Sequence, residues 1–185
     1  MKFSIRRLSR ADKKPIRQAA QILNAEISLP RYPTGYQTYK EAHKEVMDCL
    51  KRGNVALAAY NANGDVLGWI GGRPEYDGKV WELHPLVVRS DAQRNGIGTA
   101  LVERLEALVK KRGALTLWAG ADDEDFRTNL SGVDLYKDLP KLLRNASTKK
   151  GHPIEFYRRA GFTIVGVVPD ANGVGKPDIF LAKRI

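Results

Sequence analysis

The chain alternates between two hydrophobic patterns, short runs of β-branched residues and longer stretches with an apolar residue every three or four positions. The first pattern predicts strands and the second predicts helices. The predicted strands are residues 3–8, 55–60, 66–72, 80–88, 114–119, 162–168 and 179–183. The predicted helices are residues 12–27, a second ending near Arg52, a third from the glycine-rich loop to Gly113, and a short one beginning near His152.

This order reads strand, two helices, three antiparallel strands, helix, strand, helix and two strands. It predicts the α/β class, with a mixed sheet carrying helices on its faces. Asn63-Gly64 is a strong hairpin signal between the second and third strands. Asp12 is a candidate cap for the first helix, and Gly113 is a stop signal for the third.

Length and composition fit one globular domain spanning residues 1–185, with 43% apolar and 28% charged residues. No apolar run approaches the roughly 20 residues that cross a bilayer, and no secretory signal is visible. The one cysteine, Cys49, excludes an intrachain disulfide and fits a reducing cytoplasm. We expect a cytoplasmic protein with no membrane partner, in which Cys49 is a buried structural thiol.

The formal net charge of +10 favours polyanionic ligands, among them nucleic acid and phosphorylated cofactors. The basic residues are spread along the chain rather than gathered in one arm. No RNA-recognition, zinc-finger or helix-turn-helix signature accompanies them. We therefore expect no nucleic-acid partner, and a phosphorylated cofactor stays open.

The loop Q-R-N-G-I-G at residues 93–98 joins a predicted strand directly to a predicted helix. Backbone N–H groups at such a helix start, helped by the helix dipole, form a natural anion site. The loop lacks the G-K-[ST] of a P-loop and the third glycine of a dinucleotide fold. With Arg94 beside it, the loop suits a pyrophosphate. The alternative is an ordinary tight turn.

The strand before this loop, residues 80–88, carries Glu82 and His84 on one face, about 7 Å apart. Pro85 has no N–H to donate, so it predicts a bulge that frees backbone amides near Leu86. One strand would then supply a carboxylate, an imidazole and N–H donors beside an anion site. Alternatively, Glu82 lies on a solvated face and His84 is structural.

Several segments resemble the GNAT superfamily of acetyl-CoA-dependent N-acetyltransferases, namely the Q-R-N-G-I-G loop with its strand and F-Y-R-R-A-G-F. The blocks W-E-L-H-P-L-V-V, G-A-D-D-E-D-F-R-T-N-L-S-G-V-D-L-Y and V-P-D-A-N-G-V-G-K-P-D-I-F-L-A-K look like aminoglycoside 6′-N-acetyltransferases. This resemblance runs from Trp81 to the C-terminus. It implies the GNAT fold with a splayed central strand pair, acetyl-CoA as co-substrate, and a homodimer.

The resemblance also implies roles for individual residues. Glu82 would be the general base, the N–H of Leu86 an oxyanion donor, and Tyr157 a group near the coenzyme sulfur. An alternative for Tyr157 is an aromatic residue that packs its helix. The residues expected to bind acetyl-CoA are Leu86, Val87, Val88, Arg94, Asn95, Gly96, Ile97, Gly98, Thr99 and Tyr157.

The acidic run at residues 122–125 has no metal-ligand spacing, so no metal is expected. By resemblance, Asp122 and Asp125 would bind a polycationic antibiotic. The alternative is a solvated loop. His84 and Tyr36 are expected to line the acceptor site, with Tyr36 stacking on a sugar or an apolar amine.

The net charge and the tyrosine-rich segment 28–44 disfavour a polycation. Three hypotheses stay open: an aminoglycoside 6′-N-acetyltransferase, an acetyltransferase for a peptide, lysine or polyamine, and a non-catalytic acyl-CoA sensor.

Overall fold

The structure, a computed structural model, describes residues 1–28, 30–149 and 151–185. Within them lie seven strands: β1 (Ser4–Arg7), β2 (Val55–Tyr60), β3 (Val66–Glu75), β4 (Val80–Val88), β5 (Thr116–Asp122), β6 (Thr163–Val168) and β7 (Asp178–Arg184). The same residues form five α-helices: α1 (Lys13–Glu26), α2 (Tyr39–Cys49), α3 (Ile97–Lys110), α4 (Leu139–Arg144) and α5 (Pro153–Arg159). The predicted mixed α/β class is confirmed. No described helix is long and apolar enough to cross a membrane.

The chain forms two compact units, which we name the N-terminal unit (Met1–Leu117 with Ile185) and the C-terminal unit (Trp118–Arg184). In the N-terminal unit, β1, β2, β3 and β4 pair in that order, each antiparallel to the next. In the C-terminal unit, β7 lies between β5 and β6, and β6 and β7 are antiparallel. The interpretation as one domain stays a prediction.

Helices cover both faces of the N-terminal sheet. A Cβ atom on Gly71 would lie 2.7 Å from Cys49 Sγ in α2, and one on Gly72 would lie 2.7 Å from Leu105 in α3. Because neighbouring strand residues point to opposite faces, α2 and α3 lie on opposite sides of β3. The indole N–H of Trp69 donates to the Ala19 carbonyl oxygen at 3.0 Å, which fixes α1 on the α2 side.

The local signals for turns and caps are mostly confirmed. The Asn61 side chain accepts from the backbone N–H groups of Asn63 and Asp65 at 2.9 Å each, closing the β2–β3 hairpin. Thr38 forms a capping box at the start of α2. Asp12 does occupy the N-cap position of α1, but its carboxylate accepts from the preceding Ser9 N–H and caps nothing in the helix. The prediction of a side-chain cap was therefore wrong.

A bulge interrupts β4 at His84 and Pro85, as the proline predicts. The paired residues on either side are Ile70 with Leu86 and Gly72 with Leu83, so His84 and Pro85 together oppose Gly71. The His84–Pro85 peptide is cis. The extra residue reverses the alternation of β4, so Val87 joins the core beneath α1 while Leu83 pairs with the α3-facing Gly72.

Helix α4 in the C-terminal unit is absent from the predicted elements. It is short, and none of its residues is buried. Asp138 caps it by accepting from the Lys141 N–H, and Pro140 lies in its first turn. A helix of six residues with no buried face leaves no clear hydrophobic period in the sequence.

We predict that Gly71→Ala destabilises the protein by about 1–3 kcal/mol because its Cβ would lie 2.3 Å from the His84 carbonyl oxygen. Urea denaturation measures the free energy of unfolding. Gly166→Ala is the matched control, since a Cβ there has no atom within 4 Å. Equal stability of the two variants would contradict the close approach of β3 to the bulge.

Candidate active site

Glu82 lies on the α2 side of β4, directly opposite Arg73 of β3. Arg73 Nη1 lies 3.7 Å from Glu82 Oε2, and Arg73 Nη2 donates a hydrogen bond to Glu45 Oε1 in α2. The exposed fractions of the side chains are 19% for Glu82, 31% for Arg73 and 14% for Glu45. One half-buried cation therefore lies between two half-buried carboxylates.

His84 lies on the same side of β4, next to Tyr36. Tyr36 Oη and His84 Nε2 are 2.9 Å apart, within hydrogen-bond distance. The Tyr36 backbone is fixed to α1, because its carbonyl accepts from Asn24 at 2.8 Å and its N–H donates to the Ile27 carbonyl at 2.7 Å. Burial, followed by the Glu45 carboxylate, raises the pKa of Tyr36, so its hydroxyl stays protonated. The structure thus brings the predicted acceptor residues Tyr36 and His84 together.

Cys49, which is buried as expected, links the charged group of Glu82, Arg73 and Glu45 to the pair of Tyr36 and His84. Its thiol donates to Glu45 Oε1 at 3.3 Å and approaches the His84 carbonyl oxygen at 3.5 Å. Burial, followed by Glu45, raises the pKa of Cys49 to about 12. We call Tyr36, Glu45, Cys49, Arg73, Glu82 and His84 the β4 polar cluster. It holds the predicted Glu82 and His84 in one connected group.

The predicted anion loop follows β4 and leads into α3. Gly96 occupies the N-cap position with a φ of 79°, and no side chain caps the helix. Arg94 also has a positive φ, 64°, and the residues from Gln93 to Gly96 are exposed. The Asn95 side chain donates to the carbonyl oxygens of Ala92 and Gln93, which shapes the turn. The start of α3 therefore offers uncapped N–H groups beside an exposed guanidinium, a donor set that fits a diphosphate.

The base of this loop is tied to the sheet and to α1. The Ser90 N–H donates to Glu26 at the end of α1 at 2.7 Å, and Arg89 forms an ion pair with Asp91 at 2.5 Å. The Gln93 side chain donates to the carbonyl oxygen of Val88, the last residue of β4, at 3.0 Å. The coenzyme residues predicted between Leu86 and Thr99 thus form one continuous, braced segment of the N-terminal unit.

Tyr157 in the C-terminal unit is buried in α5. Its ring packs edge-on against Phe156 and Phe162, with centroids 5.4 Å away in both cases. The ring therefore packs against aromatic residues of and beside its own helix, and the role of Tyr157 near the coenzyme sulfur stays a prediction. His152 caps the same helix, because its Nδ1 accepts from the Ile154 N–H at 3.3 Å.

The acidic run does not behave as one solvated loop. Asp123 is fully buried, and its carboxylate accepts from the N–H groups of Arg127 and Thr128 at 2.7 Å and from the Ser131 hydroxyl at 2.6 Å. The two predicted antibiotic-binding acids are exposed. Asp122 accepts from Asn172 at 2.6 Å, and Asp125 forms an ion pair with Arg127 at 2.8 Å.

Residues 20–139 match the Acetyltransferase (GNAT) family, and the chain belongs to it. A crystal structure of an aminoglycoside 6′-N-acetyltransferase in complex with coenzyme A is 37% identical, with a TM-score of 0.87, and the match covers 98% of this chain and 96% of that one. The aminoglycoside 6′-N-acetyltransferase from Enterococcus faecium is 36% identical over the same shares, with a TM-score of 0.86.

An aminoglycoside 6′-acetyltransferase of type Ii is 34% identical, with a TM-score of 0.74, again over 98% of this chain and 96% of that one. No curated protein sequence matches the chain significantly. The predicted class, an acetyl-CoA-dependent N-acetyltransferase of the GNAT superfamily, is confirmed.

Sequence reasoning missed Arg73 and Glu45. A usable signal was present, since Arg73 follows the glycine pair of β3 and Glu45 precedes Cys49 by one helical turn. The sequence alone does not show the strand register that sets Arg73 opposite Glu82, or the docking of α2 that brings Glu45 against β3.

We predict that the Cys49 thiol of the native protein does not react with Ellman's reagent at pH 8. Its raised pKa keeps it protonated there, and its burial excludes the reagent. Absorbance measures the released thiolate. The same protein in guanidinium chloride is the control and should release one equivalent. Rapid stoichiometric reaction of the native protein would contradict the burial.

Proposed function

We propose that this protein transfers the acetyl group of acetyl-CoA to the 6′-amine of aminoglycoside antibiotics, by direct attack within a ternary complex. The observation that carries the proposal is the 34–37% identity to three aminoglycoside acetyltransferases over nearly the whole chain. The Glu82 and His84 side chains on β4, which leads into the anion loop, supply the matching chemistry.

In this proposal the start of α3 binds the diphosphate of acetyl-CoA. Gly96, Ile97, Gly98 and Thr99 contribute backbone N–H groups, and the helix dipole adds to the attraction. Arg94 supplies a charge-assisted hydrogen bond. Its exposed side chain and the uncapped helix support this role.

The reaction needs three contributions from the protein. A primary amine with a pKa of about 10 must lose a proton before it attacks, and Glu82 is the proposed base, directly or through water. The thioester oxygen gains negative charge, which the Leu86 N–H stabilises. Tyr157 supplies a proton or a hydrogen bond to the departing thiolate. The half-buried position of Glu82 supports its role.

We propose that Asp122 and Asp125 bind the other amines of an aminoglycoside, and their exposed carboxylates support this role. His84 and Tyr36 line the acceptor site. A second candidate acceptor is a less charged amine, on a peptide, a lysine or a polyamine. It is favoured by the net charge of +10 and by the existing partners of both aspartates, Asn172 and Arg127. Action as a homodimer in the cytoplasm completes the proposal.

We predict that the protein releases thiol from acetyl-CoA with neomycin, because neomycin has a 6′-amine. Paromomycin, which carries a 6′-hydroxyl in place of that amine, is the matched control. Its kcat/KM should be at least about 100-fold lower than that of neomycin. Ellman's reagent follows the thiol, and mass spectrometry locates the acetyl group. Spermidine and a lysine peptide test the second candidate.

Equal rates with neomycin and paromomycin would contradict transfer to the 6′ position. A faster reaction with spermidine or the peptide would replace the aminoglycoside by the second candidate. Binding of acetyl-CoA without thiol release from any of these acceptors would favour a non-catalytic sensor.

We predict that Glu82→Gln lowers kcat by about 100-fold or more and changes the pH profile of the reaction, because the variant has no carboxylate to accept the proton. Steady-state kinetics measures both, while calorimetry should find unchanged acetyl-CoA affinity. Glu103→Gln, at an exposed position of α3, is the matched control and should behave as wild type. An unchanged rate across pH would remove Glu82 from the role of base.

A further inference from the structure

We infer that Arg73 is a positioning residue for Glu82. Glu45 restrains the Arg73 guanidinium, so that Arg73 attracts the Glu82 carboxylate without forming a hydrogen bond to it. This inference rests on the proposed role of Glu82 as base and extends it to two residues outside the motifs that resemble the family. It is carried by the geometry of three charged side chains on three different elements, α2, β3 and β4.

The contacts of Arg73 with the two carboxylates differ in kind. Its Nη2 makes a direct hydrogen bond to Glu45 Oε1, whereas its Nη1 remains 3.7 Å from Glu82 Oε2. A separation of 3.7 Å is too long for a hydrogen bond but close enough for attraction between opposite charges. Because the three side chains are all half-buried or more, water screens this attraction less than it would at the surface.

The backbone explains why Arg73 can hold both positions. Arg73 and Glu82 are directly paired across β3 and β4, so their side chains leave the sheet on the same face. Glu45 approaches from α2, which covers that face, and its carboxylate also accepts from the Cys49 thiol at 3.3 Å. Glu45 is therefore fixed by its own helix and fixes the guanidinium in turn.

This arrangement has a consequence for catalysis. Among the described residues, Arg73 is the partner of Glu82, and no hydrogen bond fills the lone pairs of the Glu82 carboxylate. A base needs those lone pairs for the amine or for the water that carries its proton. A freely mobile guanidinium would form a bidentate pair with Glu82 and block them. Removal of Arg73 would instead leave two neighbouring carboxylates without their shared cation.

The test is a kinetic double-mutant cycle with Arg73→Met and Glu82→Gln. We expect R73M to lower kcat by at least about 10-fold, because a misplaced base loses its alignment with the amine. The KM for acetyl-CoA should stay unchanged. In the E82Q background, R73M should have little further effect, because the residue it positions has already lost its carboxylate. An equal loss in both backgrounds would overturn the inference, as would a fully active R73M.

Two further variants separate positioning from a general structural role. Arg73→Lys keeps a cation but has a single nitrogen for two carboxylates, so its kcat should lie between those of wild type and R73M. Glu45→Gln should lower kcat as well, because the released guanidinium moves onto Glu82. Wild-type kcat in E45Q would overturn the restraining role of Glu45. Lys44→Met, an exposed cation on the same helix, is the charge-matched control and should leave kcat unchanged.

The kinetic cycle uses the amine that the wild-type enzyme acetylates fastest. The acceptor assays of the wild-type enzyme alone then test the aminoglycoside proposal, whichever amine is used in the cycle. A second cycle measures the free energy of unfolding of the same four proteins and needs no acceptor. The decrease in the free energy of unfolding caused by R73M should be smaller in the E82Q background, because E82Q has already removed the charge pair. Strict additivity of the two losses would overturn the pairing even if every variant is inactive.

Discussion

The opposition of two β4 residues, His84 and Pro85, to the single Gly71 is the constraint on which the rest of the N-terminal unit depends. Gly71 is required because a Cβ would collide with the His84 carbonyl oxygen and Cys49 Sγ. The bulge leaves Glu82 and His84 on the α2 side of β4 and turns the following residues over. A strand without it would keep one alternation to its end and present a different set of groups to the anion loop.

Around this bulge, each polar side chain of β4 is held by a residue from another element. Glu82 is paired with Arg73 of β3, which is itself held by Glu45 of α2. His84 meets Tyr36, whose backbone is bound to α1. Such positioning costs conformational entropy in the folded state, but it leaves little reorganisation for the reaction itself. The anion loop is braced in the same way through Glu26 and Gln93.

Much of this could be predicted from the sequence, because the signals were local. Hydrophobic period gave the seven strands and four of the five helices in the described residues, Pro85 indicated the bulge, and the glycine loop indicated an uncapped helix start. The pairing of Arg73 with Glu45 and Glu82 could not be predicted, since it depends on strand register and helix docking between residues far apart in the chain. The acidic residues 122–125 also differ from one another in the fold. Asp123 is a buried acceptor for its own loop, whereas Asp122 and Asp125 are exposed. Sequence spacing alone does not separate these roles. The splayed central strand pair and the site roles inferred from resemblance stay predictions.

In the proposed reaction, β4 presents Glu82 to the acceptor amine while the segment that follows β4 holds the coenzyme. A crystal structure of the ternary complex with coenzyme A and an aminoglycoside would show both contacts at once. We expect the 6′-amine within hydrogen-bond reach of Glu82, directly or through one water, and the diphosphate on the backbone amides at the start of α3. An amine far from Glu82, with that carboxylate turned fully onto Arg73, would contradict it.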